Sequence, residues 1–256
     1  MTESQRTSAQ TAKLYSSQKI AVNAVASALL SPMLMVIALI RFGLLIRILP
    51  LEIYGTFILL SSVVGQFNFL DGGMRQSLQR YIPQFLAQDR RDDVGRAVTA
   101  TLLLMLGAGG VIAAGIATFA ATGGTSVFGA AVGGAEGAAG FYAAAAVLFV
   151  FWPLTSFEAA MEGINRFNEV QILRLCAEML RTGLVVWGAL DGWPVEVLFL
   201  VFMAPMLAVQ LGLAVRVRWL LGVRLLIVDS GSARTVREIF HYTKWVAAGQ
   251  IGAAIN

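Results

Sequence analysis

Charge is scarce in this 256-residue chain, and cations are missing altogether from some of its connecting segments. Only 13% of residues are charged and 57% are hydrophobic, whereas about a quarter of a soluble domain is charged. One cysteine, Cys176, excludes an intrachain disulfide. One cysteine and one histidine, His241, exclude a zinc site of the usual kind. The chain holds no GxSxG, no HExxH and no Walker lysine loop, so nothing points to hydrolytic or transfer chemistry. It lacks the interleaved basic and aromatic residues of a nucleic-acid groove. The isoelectric point near 9.6 therefore reads better as contact with an anionic membrane leaflet. There is no strand pattern and no soluble domain. No cleavable signal peptide is expected either: the N-terminal segment is polar, and the apolar run after it is too long for a signal core.

What the chain does have is long apolar runs, with a mean hydropathy of +0.74. Six spans are expected, at about Ile20–Ile48, Ile53–Leu70, Ala97–Thr122, Ala138–Phe157, Val170–Leu190 and Val195–Leu221. The first exceeds the ~20 residues a crossing needs, so it tilts or extends beyond the bilayer. Pro153 is expected to kink the fourth, and Pro205 lies mid-way along the sixth. Trp245–Asn256 starts a seventh apolar stretch, too short to cross as a helix. The expected organisation is a cytoplasmic segment 1–19, a six-span lobe 20–221, a cytoplasmic linker 222–244 and the start of a seventh span at 245–256. The chain is thus expected to be the N-terminal part of a longer protein and inactive alone. The Gly/Ala tract 123–140 is not a phosphate cradle, because it has no GK[ST] ending. It reads as an extracytoplasmic loop or the start of a small-residue helix.

Sixteen of the 19 cations fall in alternate segments. Arg6, Lys13 and Lys19 precede the first span. Arg75, Arg80, Arg90, Arg91 and Arg96 lie in the second connection, and Arg166 and Arg174 in the fourth. Arg216, Arg218, Arg224, Arg234, Arg237 and Lys244 lie in the sixth. The third and fifth connections hold none. Positive charge stays on the cytoplasmic side during insertion, so the fold class is an all-α, polytopic helical membrane protein with its N-terminus inside.

Ionisable residues within spans are costly and tend to line cavities. Three helices carry polar stripes. In the fifth, Gln171, Arg174, Glu178 and Arg181 follow steps of 3, 4 and 3, which places them on one face. There Glu178 can bridge both arginines. The stripe is either an ion-pair ladder between helices or the wall of a hydrated cavity. In the first, Asn23, Ser27 and Ser31 share a face to which Arg41 returns. Arg41 and Arg47 either snorkel to outer headgroups or form a cationic site at the outer end of a lumen. In the second, Ser61, Gly65, Asn68, Asp71 and Arg75 repeat the pattern. Asp71 either caps the next helical stretch or pairs with Arg75 or Arg80 as a gate or ion site.

At these residues the chain resembles a known family. From Arg47 it reads R-x-L-P-x-E-x-Y-G, with Leu49, Pro50, Glu52, Tyr54 and Gly55. Leu70, Asp71 and Gly73 then give L-D-x-G, and Leu78, Arg80 and Tyr81 give L-x-R-Y. This is similar to the opening of O-antigen (Wzx-type) polysaccharide flippases, in the superfamily of multidrug and oligosaccharidyl-lipid exporters. Phe157–Arg181 resembles the family's turn between the fourth and fifth spans. Pro50 departs from the usual glycine. The resemblance implies two six-helix lobes about a central cavity, of which this chain supplies one, and alternating access by rocking of the lobes. It implies a polyprenyl-diphosphate-linked oligosaccharide substrate meeting cavity arginines Arg41, Arg47, Arg174 and Arg181. Asp71, Arg75 and Glu178 are the candidates for gating or ion coupling. No catalytic residue, metal or cofactor is expected, and no nucleic-acid partner. The expected partners are the lipid substrate, the bilayer of a bacterial cytoplasmic (inner) membrane and other polysaccharide assembly proteins. Two other readings are a multidrug or cation exporter of the same superfamily, which needs a cavity dominated by carboxylates, and a membrane enzyme of polysaccharide assembly. A structural membrane protein is a further one.

Overall fold

A computed structural model describes residues 17–66, 73–124, 127 and 135–222, with side chains from Leu29 onward in the first helix and from Gly137 in the fifth. With residues 67–70 of the second outside the described residues, each of the six expected spans overlaps a helix. These are α1 (Ser17–Ile48), α2 (Leu51–Gln66), α4 (Arg91–Ala121), α5 (Ala135–Gly163), α6 (Phe167–Leu190) and α7 (Val195–Leu221). Among the described residues, four stretches are long and apolar enough to cross a membrane: Leu29–Ile48, Arg91–Ala121, Gly137–Gly163 and Val195–Leu221. The α2 helix is apolar but shorter, at 16 residues. The charges of α6 keep it out of that set. The expected linker beyond Gly222 and the seventh apolar stretch lie outside the described residues, as does the segment 1–16.

One helix lies between the expected spans, where one reading of Asp71 has the next helical stretch begin. Met74–Ala87 forms α3, an amphipathic helix that buries Ser77, Leu78, Ile82 and Phe85. Gly73 precedes it at φ 81°, a left-handed conformation that interrupts any helix and that glycine adopts without a Cβ clash. The step count from Ser61 to Arg75 therefore does not describe one helical face. Arg75 belongs to α3.

The remaining boundaries have local causes. Asp92 and Asp93 sit in the first turn of α4, where a carboxylate meets the positive end of the helix. Asn165, at φ 59°, turns the chain between α5 and α6. The Arg166 N–H donates back to the Met161 carbonyl at 3.0 Å and so closes that turn. Gly222, at φ 60°, ends α7. Both α5 and α7 run unbroken through Pro153 and Pro205.

Helix α5 is central, packed against α4, α7, α3, α2 and α6, while α1 lies chiefly on α6. Small residues let α4 and α5 approach closely, because association in lipid depends on packing rather than on expelling water. Trp152 of α5 passes 3.2 Å from where a Cβ on Gly109 would stand.

The buried apolar residues form two clusters, one at each end of the bundle. The first joins Leu45, Phe57, Phe141, Val185 and Phe199. The second joins Leu78, Val94, Met161, Val170 and Val217 near the α5–α6 turn. The buried ionic residues run from the second cluster, where Phe157, Met161 and Ile164 flank Glu158 and Glu162, to Phe202 of the first, on which Arg41 stacks. Large apolar side chains on the outside, such as Met35 at 67% and Val111 at 75% exposure, fit a lipid-facing surface.

Candidate functional site

The site begins at the α5–α6 turn. Glu158 stands five residues before the end of α5, and Arg174 seven after the start of α6. At 1.5 Å per residue they lie at depths of about 8 and 10 Å, so the hairpin itself brings them together. Their side chains form an ion pair. Glu158 also pairs with Arg75 of α3 and accepts from Gln210 Nε2 of α7 at 2.8 Å. Four helices thus converge on one carboxylate, whose residue is 1% exposed. One turn further along α5, Glu162 accepts from Gln79 Nε2 at 2.6 Å and lies 3.4 Å from Arg75. This inner group has two arginines and two carboxylates.

A second group lies further along α6. Arg41 NH1 donates to Glu178 at 2.6 Å and lies 3.4 Å from the Thr182 hydroxyl. Arg181 also pairs with Glu178, its Nε donating at 2.7 Å. Both guanidinium groups stack on Phe202 of α7, at 4.8 Å for Arg41 and 4.3 Å for Arg181. Such cation–π contact strengthens where water is excluded, and Arg41 is only 2% exposed. Two cations here share one carboxylate, which leaves a net positive charge. The Arg41 Nε is buried without a hydrogen-bond partner.

A cavity of about 340 Å³ opens between the groups, and Arg75, Glu158, Arg174, Glu178 and Gln210 line it together with Leu34, Phe151, Thr155 and Met206. Its wall includes one acceptor without a partner, Gln210 Oε1.

The structure therefore brings together five of the seven residues singled out from sequence: Arg41, Arg75, Arg174, Glu178 and Arg181. Arg47 is not among them; it is exposed and makes no ion pair among the described residues. Asp71 lies outside the described residues. Glu178 bridges Arg181 and Arg41, not Arg174, because Glu158 takes Arg174. Sequence reasoning missed Glu158, Glu162, Gln79 and Gln210. The expected fourth span stops at Phe157, one residue short of Glu158 and five short of Glu162, and so misses their i, i+4 pair on a helix that continues to Gly163.

Such a site can hold and exchange ion pairs. Arginine forks bind oxyanions bidentately, and paired carboxylates can trade an arginine for a cation or proton. Among the described residues no group of three His, Cys, Asp or Glu could hold a metal ion. Comparison with family models, curated proteins and solved structures finds no match to this chain.

Proposed function

We propose that this chain is one lobe of a transporter that flips a polyprenyl-diphosphate-linked oligosaccharide across a bacterial cytoplasmic membrane for surface polysaccharide synthesis. The observation that carries this reading is the outer group. Arg41 and Arg181 share the single carboxylate of Glu178 and stack on one ring, so a second anion finds unbalanced charge and spare donors. A diphosphate suits such a site because each guanidinium can offer two parallel N–H donors.

Charge placement supports the orientation. The end of the bundle at the α5–α6 turn carries Arg80, Arg90, Arg91, Arg96, Arg166, Arg216 and Arg218 against Asp89, Asp92, Asp93 and Glu169. The opposite end carries Arg47 against Glu52, Asp191 and Glu196. The positive-inside rule favours the basic end as the cytoplasmic one, which agrees with an N-terminus inside.

Glu158 and Glu162 favour a second reading, a cation exporter of the same superfamily. Two buried carboxylates one turn apart on α5 suit a cationic cargo, but both are held by Arg75, and Arg174 also holds Glu158. Their charge is already met within the protein, so the anionic cargo is preferred.

Arg181→Ala tests the choice. Glu178 keeps its pair with Arg41, so the variant inserts normally, and export of the lipid-linked unit falls by at least about tenfold. Arg181→Lys keeps a point charge for Glu178 but loses the fork, and rescues export only in part. Full export by Arg181→Ala at equal protein level would remove Arg181 from the substrate site.

A further inference from the structure

The cytoplasmic end of α7 has features that the transport site does not use. Leu211, Val215 and Trp219 are 51%, 60% and 81% exposed and recur every four residues, so they form one apolar stripe on the outside of α7. Helix α7 has 27 residues, a length of about 40 Å, and the hydrocarbon core is ~30 Å thick. Its last turn therefore stands at headgroup level. Trp219 ends the stripe there, which is the depth where tryptophan concentrates.

Cations flank that tryptophan. Arg218 is exposed and makes no ion pair among the described residues. Arg216, its side chain 52% exposed, lies 3.5 Å from Glu169 at the start of α6. Arg166 pairs with the same Glu169. Two arginines thus meet one carboxylate, and Arg218 adds a third cation on the other side of Trp219, beside an apolar, lipid-facing stripe.

We infer that Arg166, Arg216, Arg218 and Trp219 form a binding site for the headgroup of an anionic phospholipid. The acyl chains lie along Leu211 and Val215, Trp219 sits at the chain–headgroup boundary, and the arginines take the phosphate. The surplus of positive charge selects an anionic lipid over a zwitterionic one, and the apolar stripe selects a lipid over a free anion. The site works whatever cargo the cavity carries.

Native mass spectrometry of the full chain, with phosphatidylglycerol or phosphatidylcholine added, reads the site directly. The protein retains phosphatidylglycerol in preference to phosphatidylcholine. Each arginine near a membrane surface adds about 1 kcal/mol of attraction, so R216Q/R218Q weakens phosphatidylglycerol retention roughly 30-fold. Arg91→Gln removes a cation at the same end of the bundle but away from α7, and leaves retention unchanged. Trp219→Ala weakens retention without altering the preference for negative charge. Equal retention by R216Q/R218Q and the unaltered chain would overturn the assignment. So would an equal loss in Arg91→Gln, which would mean diffuse attraction, or displacement of the lipid by inorganic phosphate, which would mean a bare anion site.

Discussion

Glu178 is held on both sides by arginine, and the consequence of neutralising it is calculable. In Glu178→Gln, Arg41 and Arg181 stay buried, with side chains 3% and 13% exposed, but lose their shared carboxylate. Removing one partner of a buried pair costs about 3–5 kcal/mol. Thermal unfolding in nanodiscs should show a loss of that size for Glu178→Gln, and under about 1 kcal/mol for Thr182→Val, which gives up a single contact at 3.4 Å. The inner carboxylates should rank likewise. Glu158 has two arginines and Gln210, whereas Glu162 has Gln79 and a more distant Arg75. Glu158→Gln should therefore destabilise more than Glu162→Gln, and the reverse order would mean that the ion pairs of Glu158 do not hold the helices. At this scale the sequence was partly legible. Helical steps found the face that carries Arg174, Glu178 and Arg181, because those residues share one unbroken helix. The partners of Arg75 were not legible, since Glu158 lies 83 residues away and meets it only through the packing of α3 on α5.

Within α6, two glycines predict opposite outcomes for one substitution. A Cβ on Gly188 would stand 2.6 Å from the Trp193 ring and 2.9 Å from Leu198, whereas one on Gly183 meets nothing within 4 Å. Gly188→Ala should cost about 1–3 kcal/mol through overpacking where the α6–α7 turn folds back. Gly183→Ala should be neutral, or stabilising by up to about 1 kcal/mol, as alanine favours the helix. Unfolding of the two purified variants checks this, and equal losses would contradict the close packing at Trp193. Element boundaries were readable where an apolar run ends in punctuation, as α7 does between Pro194 and Gly222. They were misread where polar residues continue a helix. Helix α4 starts at Arg91 rather than Ala97, and α5 reaches Gly163 rather than Phe157. Hydropathy marks what lies in hydrocarbon, and backbone hydrogen bonding does not stop there. Helix α3 is legible only as a helical stretch without bounds after Asp71, since its apolar residues form one narrow face among polar ones.

Across the described residues, ion pairs run from one apolar cluster to the other, and cations gather at one end. The α6–α7 turn should therefore face outward and the α3–α4 turn inward. In a Cys176→Ser background, Asp191→Cys should react with a membrane-impermeant maleimide in intact cells. Gln88→Cys should react only after permeabilisation. Labelling of both from the same side would contradict the topology. These ion pairs also explain why apolar spans fold together at all. Four helices supply Glu158 and its partners, and none of those side chains is easily left in lipid.

The central claim is that the net positive outer group serves a lipid-linked oligosaccharide. Its most direct test is to delete the gene, extract the lipids and quantify polyprenyl-linked oligosaccharide by mass spectrometry, with surface polysaccharide measured alongside. The account predicts that complete lipid-linked units accumulate while surface polymer disappears. Normal levels of both, in a strain shown to carry no second flippase, would contradict it and leave the cation-exporter reading in its place.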